Sequence, residues 1–156
     1  MSDSNYAAGL TPWSGNDNVH GGLGNDTLVD SSTASNDIYI WGRDEGADTL
    51  TDDGGADRLD VLAGMTAEQI WLRQVGSDLE FSVIGTSDAF TINDWYASAA
   101  NQVESIRLSD GKTLASGNVQ TLVDAMASFS APSAGQINLP AGYQEALNPV
   151  IVANWA

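Results

Sequence analysis

The sequence predicts an all-β fold: a parallel β-roll stacked on a capping β-sheet, with one or two C-terminal helices. Three observations carry this reading. Gly21-Gly22-Leu23-Gly24-Asn25-Asp26-Thr27-Leu28-Val29 is a full copy of the nine-residue pattern G-G-x-G-x-D-x-U-x, with U large and apolar. Such a unit is stable only when stacked on further copies. Aligning on Asp26 recovers those copies, each an Asp, one residue and an apolar residue. Downstream, apolar residues alternate at strand period up to Asp110-Gly111, and helical spacing takes over past Ser116. The expected organisation is a lead-in segment over 1–12, a β-roll over 13–64, a β capping block over 65–114 and a helical tail over 115–156.

The units are Asp17-Asn18-Val19, Asp26-Thr27-Leu28, Asp37-Ile38-Tyr39, Asp48-Thr49-Leu50 and Asp57-Arg58-Leu59. Successive aspartates are 9, 11, 11 and 9 residues apart. A glycine stands two places before each Asp as Gly15, Gly24, Gly46 and Gly55, and Ser35 takes that place in the third unit. The apolar residue of each unit points into a core shared between turns. The loop before it doubles back tightly and needs residues that accept positive φ. Two units complete one turn, so Asp17, Asp37 and Asp57 line one edge and Asp26 and Asp48 the other.

Composition sharpens this picture. The chain has 156 residues, enough for one domain with a real core, and a formal net charge of -16 from 21 acidic and 5 basic residues. Nucleic acid is excluded as a partner, because phosphate binding needs clustered Lys and Arg. Twelve of the acids fall in residues 1–60, against only Arg43 and Arg58. Such crowding opposes compaction unless cations offset it. There is no cysteine, hence neither a disulfide nor a thiolate metal site. No apolar run is long enough for a membrane span, and Met1-Ser2-Asp3-Ser4 lacks the basic start of a secretory signal peptide.

Carboxylate and carbonyl oxygens converging between turns suit Ca²⁺, a hard cation that takes about 6–8 oxygen ligands. The spacing predicts inter-turn sites at 17/37, 26/48 and 37/57. The candidate calcium residues are Gly15, Asp17, Gly22, Gly24, Asp26, Ser35, Asp37, Gly46, Asp48, Gly55 and Asp57. Asp44, Asp52 and Asp53 fall at loop positions where glycine is expected; each reads either as an added ligand or as a solvated turn residue, and the solvated reading is favoured.

In the capping block, Ile70, Leu72 and Val75 form one strand that ends at Gly76. Leu79, Phe81 and Val83 form a second, and Phe90 and Ile92 a third. Val103, Ile106 and Leu108 lead to the hairpin signal Asp110-Gly111. Trp71, Trp95 and Tyr96 read as packing residues. In the tail, Val119, Leu122, Val123, Met126 and Phe129 make a helical stripe capped by Ser116 or Asn118. Pro140 starts a second helix, which Pro149 should interrupt or bend. The apolar end Val150-Ile151-Val152-Ala153-Asn154-Trp155 reads equally as a docked helix and as a segment presented to an exporter.

With these residues in place, the chain resembles the RTX, or haemolysin-type calcium-binding, family. The resemblance runs over about residues 13–114, from the nonapeptides through Tyr39–Asp52 to the strands around Ile70-Trp71-Leu72-Arg73, Phe90–Tyr96 and Val103–Gly111. It implies a calcium-filled roll, secretion by the type I machinery without a cleavable N-terminal signal, and folding outside the cell. It implies too an upstream passenger domain in a longer protein. The glycine-poor third loop and Asp44 depart from the family pattern.

His20, the one histidine, sits at a variable repeat position, and no G-x-S-x-G, H-E-x-x-H or phosphate loop occurs. No enzymatic activity is therefore expected of this chain; any activity would lie upstream. The alternative function is an extracellular adhesin or glycan-binding end domain.

Overall fold

The computed structural model describes residues 15–156. The lead-in segment expected over 1–12 and the first residues of the expected roll lie outside the described residues. Five short strands come from the five units: β1 (Asn18–His20), β2 (Thr27–Asp30), β3 (Ile38–Trp41), β4 (Ala47–Asp52) and β5 (Arg58–Val61). In each, side chains alternate between inside and outside, as strand geometry requires. β1, β3 and β5 pair in parallel, placing Val19, Tyr39 and Leu59 in one row. β2 and β4 pair in parallel with Leu28 beside Leu50. Odd and even units thus occupy different sheets, and two units make one turn.

The next strands are β6 (Ile70–Val75), β7 (Asp78–Val83), β8 (Ala89–Ile92), β9 (Ser105–Arg107) and β10 (Thr113–Ala115). They do not form a separate sheet stacked on the roll. Instead β8 pairs in parallel with β4, and β9 in parallel with β5, so both sheets of the roll are prolonged. β7 and β6 then add antiparallel to the first, and β10 adds antiparallel to the second. The strand orders are β1-β3-β5-β9-β10 and β2-β4-β8-β7-β6.

Two helices complete the described chain, α1 (Ser116–Ala127) and α2 (Ala141–Asn154). The all-β reading with a parallel roll on a capping sheet is therefore wrong in class: the sheets are mixed and the fold is mixed α/β. The physical reason lies after Asp57, where the nonapeptides stop. Tight reversals at Gly76-Ser77 and Asp110-Gly111 join β6 to β7 and β9 to β10, and a hairpin yields antiparallel neighbours.

α1 buries Val119, Leu122, Val123 and Met126 and packs against β6 and α2. Its N-cap is Ala115, not Ser116 or Asn118, which both fall inside the helix. The Ser116 amide instead donates to the Glu104 carbonyl, so strand pairing rather than a side chain sets the start. Phe129 lies past the helix end, its ring 4.6 Å from that of Tyr143. α2 runs on through Pro149, which is exposed and interrupts nothing. The chain end docks: Ile151 and Trp155 are buried, and Thr113 and Ala156 exchange two backbone hydrogen bonds of 2.9 and 3.0 Å. Trp71 and Trp95 are buried as packing residues.

Candidate metal centre

The loops before β1, β3 and β5 bring Asp17, Asp37 and Asp57 to one edge. They form a ladder in which each carboxylate accepts the amide of the aspartate one turn earlier. Asp17 N donates to Asp37 Oδ1 at 2.7 Å and Asp37 N to Asp57 Oδ1 at 2.7 Å. The ladder ends on Glu104, whose Oε2 takes the Asp57 amide at 2.6 Å. A parallel asparagine ladder runs beside it: Asn36 N to Asn16 Oδ1 and Ala56 N to Asn36 Oδ1, both 2.9 Å.

The other edge repeats the device. Asp26 N donates to Asp48 Oδ1 at 2.8 Å, and Ala47 N to Asn25 Oδ1 at 2.8 Å. Here the chain past the roll supplies Asp88, which accepts the amides of Asp44 at 2.9 Å and Gly46 at 3.1 Å. His20 Nε2 lies 2.7 Å from Glu45 Oε1. All three sequence-derived pairs, 17/37, 26/48 and 37/57, are thus brought into contact.

Gly15, Gly22, Gly24, Gly46 and Gly55 all have positive φ. Two of them are needed for a second reason. A Cβ on Gly46 would lie 2.1 Å from the Gly24 carbonyl oxygen, and one on Gly55 would lie 1.8 Å from that of Ser35. The carbonyls of one turn therefore press on the glycines of the next. Ser35 replaces a glycine but pairs with Gly55 as an isolated parallel bridge.

The sequence reading missed four carboxylates here, Asp30, Glu45, Asp88 and Glu104, and favoured solvent over a ligand role for a fifth, Asp52. Asp52 was read as solvated; it is fully buried, as is its register partner Asp30. The signal was strand parity, since both stand two residues after an inward leucine, Leu28 or Leu50. Asp44 and Asp53 are exposed. Asp88 and Glu104 act across 44 and 47 residues, which no local pattern reveals.

Burial dominates the electrostatics. It pushes the Asp48 carboxyl up to about 6, helped by the charges of Asp26 and Glu45 and opposed by the Asp26 amide. Asp52 is pushed up to about 7 by burial, with the neighbouring Asp57 adding to the shift against the Gly54 amide and Tyr39 hydroxyl. Asp57 and Asp30 are raised by burial and by Asp37. Asp37 is also desolvated, yet contacts with Asp30, the Asp17 amide and Ser35 bring it below the usual carboxylate range.

Do these residues suit calcium? The donors are oxygens, the right chemistry for a hard cation. Each inter-turn aspartate spends one oxygen on an amide. On Asp37 and Asp57 the other, Oδ2, is buried and meets no hydrogen-bond donor, as is Oε2 of Glu45. Against this, among the described residues no group of three or more His, Cys, Asp or Glu side chains is placed to hold one ion. The fit is to sites built from one or two carboxylates and completed by loop carbonyls.

Residues 78–116 match the family model described as haemolysin-type calcium binding protein related domain. The chain thus carries a stretch related to haemolysin-type calcium-binding proteins. This stretch holds β7 to β10 and both ladder-ending residues, Asp88 and Glu104. The nonapeptides lie outside it. Of the resemblance drawn over residues 13–114, residues 78–114 fall within this match.

Proposed function

We propose that this chain is a calcium-binding module that folds on calcium after type I secretion. In this reading it carries or stabilises the C-terminal export region of a larger secreted protein. The observation that carries it is the paired carboxylate ladders, with buried oxygens on Asp37 and Asp57 that have no donor. The match over residues 78–116 supports the same direction.

When bound, calcium supplies positive charge between the turns. The chain's own part is to hold the loops in register, through the Asp37, Asp48 and Asp57 carboxylates and through glycines that admit close approach. At low calcium, carboxylate repulsion and an ordering cost of about 1–2 kcal/mol per residue keep the loops open. With a dissociation constant of about 10⁻⁴ M and calcium at about 1 mM, each site adds roughly 1.4 kcal/mol. Sites at 17/37, 26/48 and 37/57 together add about 4 kcal/mol, enough to switch a marginal domain. Folding outside the cell would also oppose return through the exporter. Among the described residues the aromatic platform that a glycan-binding end domain needs is poorly supplied, since Trp71 and Trp95 are buried.

Circular dichroism and calorimetric titration of the metal-free chain with CaCl₂ test the calcium step. Cooperative gain of β signal with saturable heat is expected. A chain equally folded in chelator, with no heat of binding, refutes it. Export is tested by fusing the chain to a reporter in cells with and without a type I exporter; exporter-independent appearance of the reporter outside refutes that part.

A further inference from the structure

Between residues 66–69 and α2 lies a pocket of about 270 Å³, and none of the candidate calcium residues lines it. Three separate stretches build it. The short helical turn at Ala67–Gln69, with the residue before it, brings Thr66, Glu68 and Gln69. The approach to α2 brings Asn138, beside the buried Leu139. α2 adds Gln144 and Asn148, which stand one helical turn apart on one face. Arg43 reaches only Gln69 Oε1, at 3.5 Å, and is held closer by the Gly64 carbonyl at 3.1 Å.

Some of these groups are already engaged. Gln69 uses both ends: Oε1 accepts the Thr66 amide at 3.2 Å and Nε2 donates to the Ile137 carbonyl at 3.2 Å. Gln144 Nε2 donates to the Leu139 carbonyl at 2.7 Å, which braces the side chain and leaves Oε1 free. Asn148 differs from both, because its Oδ1 is buried and meets no donor. A buried acceptor left without a donor is costly.

The lining selects its ligand by charge and chemistry. Among the described residues that form it, Glu68 is the one charged group, so on a chain of net charge -16 an anion is repelled. Leu139 is the one apolar side chain, so an apolar ligand gains little. A primary amide both donates and accepts. A cation supplies donors alone and leaves the N–H groups of Asn138 and Asn148 unmet, whereas a hydroxyl supplies both. The volume falls just below the roughly 300–1,000 Å³ of small-molecule pockets, room for one ring.

We propose that this pocket binds a single sugar ring through its hydroxyl groups. Asn148 is the anchor: Oδ1 accepts from one hydroxyl while Nδ2 donates to its neighbour on the ring. Gln144 Oε1 and the Glu68 carboxylate accept from further hydroxyls, and Asn138 closes the rim. Such a site needs no aromatic platform. It goes beyond the calcium-module reading and does not depend on it. The ring belongs to a free monosaccharide or to the end of a glycan chain, which present the same hydroxyls.

NMR of the isotope-labelled full chain in calcium-containing buffer tests this, read on the side-chain NH₂ signals of asparagine and glutamine. The probes are the methyl glycosides of glucose, galactose, mannose and N-acetylglucosamine. At least one should shift the Asn148 and Gln144 signals saturably below about 100 mM, a range that captures millimolar dissociation constants. Asn148→Leu, close in size but unable to hydrogen-bond, should weaken binding about 10-fold, the worth of one or two hydrogen bonds. Glu68→Ala should weaken it too, and it decides alone if the backbone spectrum shows that N148L does not fold. A trisaccharide ending in the same ring separates the sources: tighter binding than the methyl glycoside assigns a chain end, and equal binding a free sugar. A chain that ignores calcium yet binds a glycoside keeps this site and loses the calcium reading. No shift with any of the four glycosides, unchanged affinity in the folded variants, or equal shifts with ethylammonium or inorganic phosphate overturns the site.

Discussion

Removing calcium should leave a chain whose stability falls as pH rises from about 5 to about 8. Asp48 and Asp52 carry this effect, because burial raises their carboxyls from 3.8 to about 6 and about 7. A folded-state pKa above the unfolded value means the folded chain binds more protons in the window between them. The stabilisation is fully present below 3.8 and is lost as pH passes the folded value. Each group contributes about 1.4 kcal/mol per pH unit up to its folded pKa. Starting from pH 5, Asp48 spans about one unit and Asp52 about two, so the combined loss by pH 8 is about 4 kcal/mol. That is a large share of a domain's usual 5–15 kcal/mol. The assay is urea unfolding of resin-stripped protein at pH 5, 6, 7 and 8, read by circular dichroism. Repeated with calcium, the slope should flatten, since the ion takes the place of the protons. Metal-free stability that is level or rises from pH 5 to 8 would refute the reasoning.

Other perturbations separate the contributions further. Gly46→Ala combines a φ of +90° with a Cβ 2.1 Å from the Gly24 carbonyl oxygen, and Gly64→Ala has a φ of +104° but nothing within 4 Å. Urea melts in calcium should show a loss of about 3 kcal/mol or more for the first and about 1–2 kcal/mol for the second; equal losses would mean the close approach is not there. Glu104→Ala deletes the acceptor of the Asp57 amide and should cost about 1 kcal/mol, with faster hydrogen exchange at that amide; unchanged exchange would remove Glu104 from the ladder. Trp155→Ala empties a buried site beside β10 and should cost about 3–5 kcal/mol in thermal unfolding; a change under about 1 kcal/mol would mean the tail is not docked.

How much of this was legible in the sequence differs by residue. The strands at Val19, Leu28, Tyr39, Leu50 and Leu59 were legible because a glycine or serine and an aspartate mark each loop at a fixed offset. Counting between those aspartates also placed 17 beside 37, 26 beside 48 and 37 beside 57, the partners now joined by hydrogen bonds. The buried face of α1 was legible from its spacing. Its start was not, because a backbone bond to Glu104 fixes it. The fold class was misread because residues 70–115 gave strands without partners. Alternation tells which face is buried, not which edge is joined. Asp30 was missed, and Asp52 was favoured as solvated, although parity put both on the inward face.

The ladders have a direction. Each aspartate accepts the amide of the aspartate one turn earlier, whereas each of Asn16, Asn25 and Asn36 accepts an amide of the turn that follows, so neighbouring turns hold one another in both directions. The last turn has no later nonapeptide to fix it. Glu104 serves one edge and Asp88 the other, and both lie within the matched stretch 78–116. The same stretch supplies β8 and β9, the strands that extend the two sheets of the roll. It also joins the roll to the part of the chain with the ampler core, where Phe81, Ile92, Val103, Ile106 and Leu114 are buried around short-range hairpins. Short-range pairing forms at lower entropic cost than pairing between turns. The roll thus gains register at its last turn from the matched stretch, and its charge must be offset between its own turns.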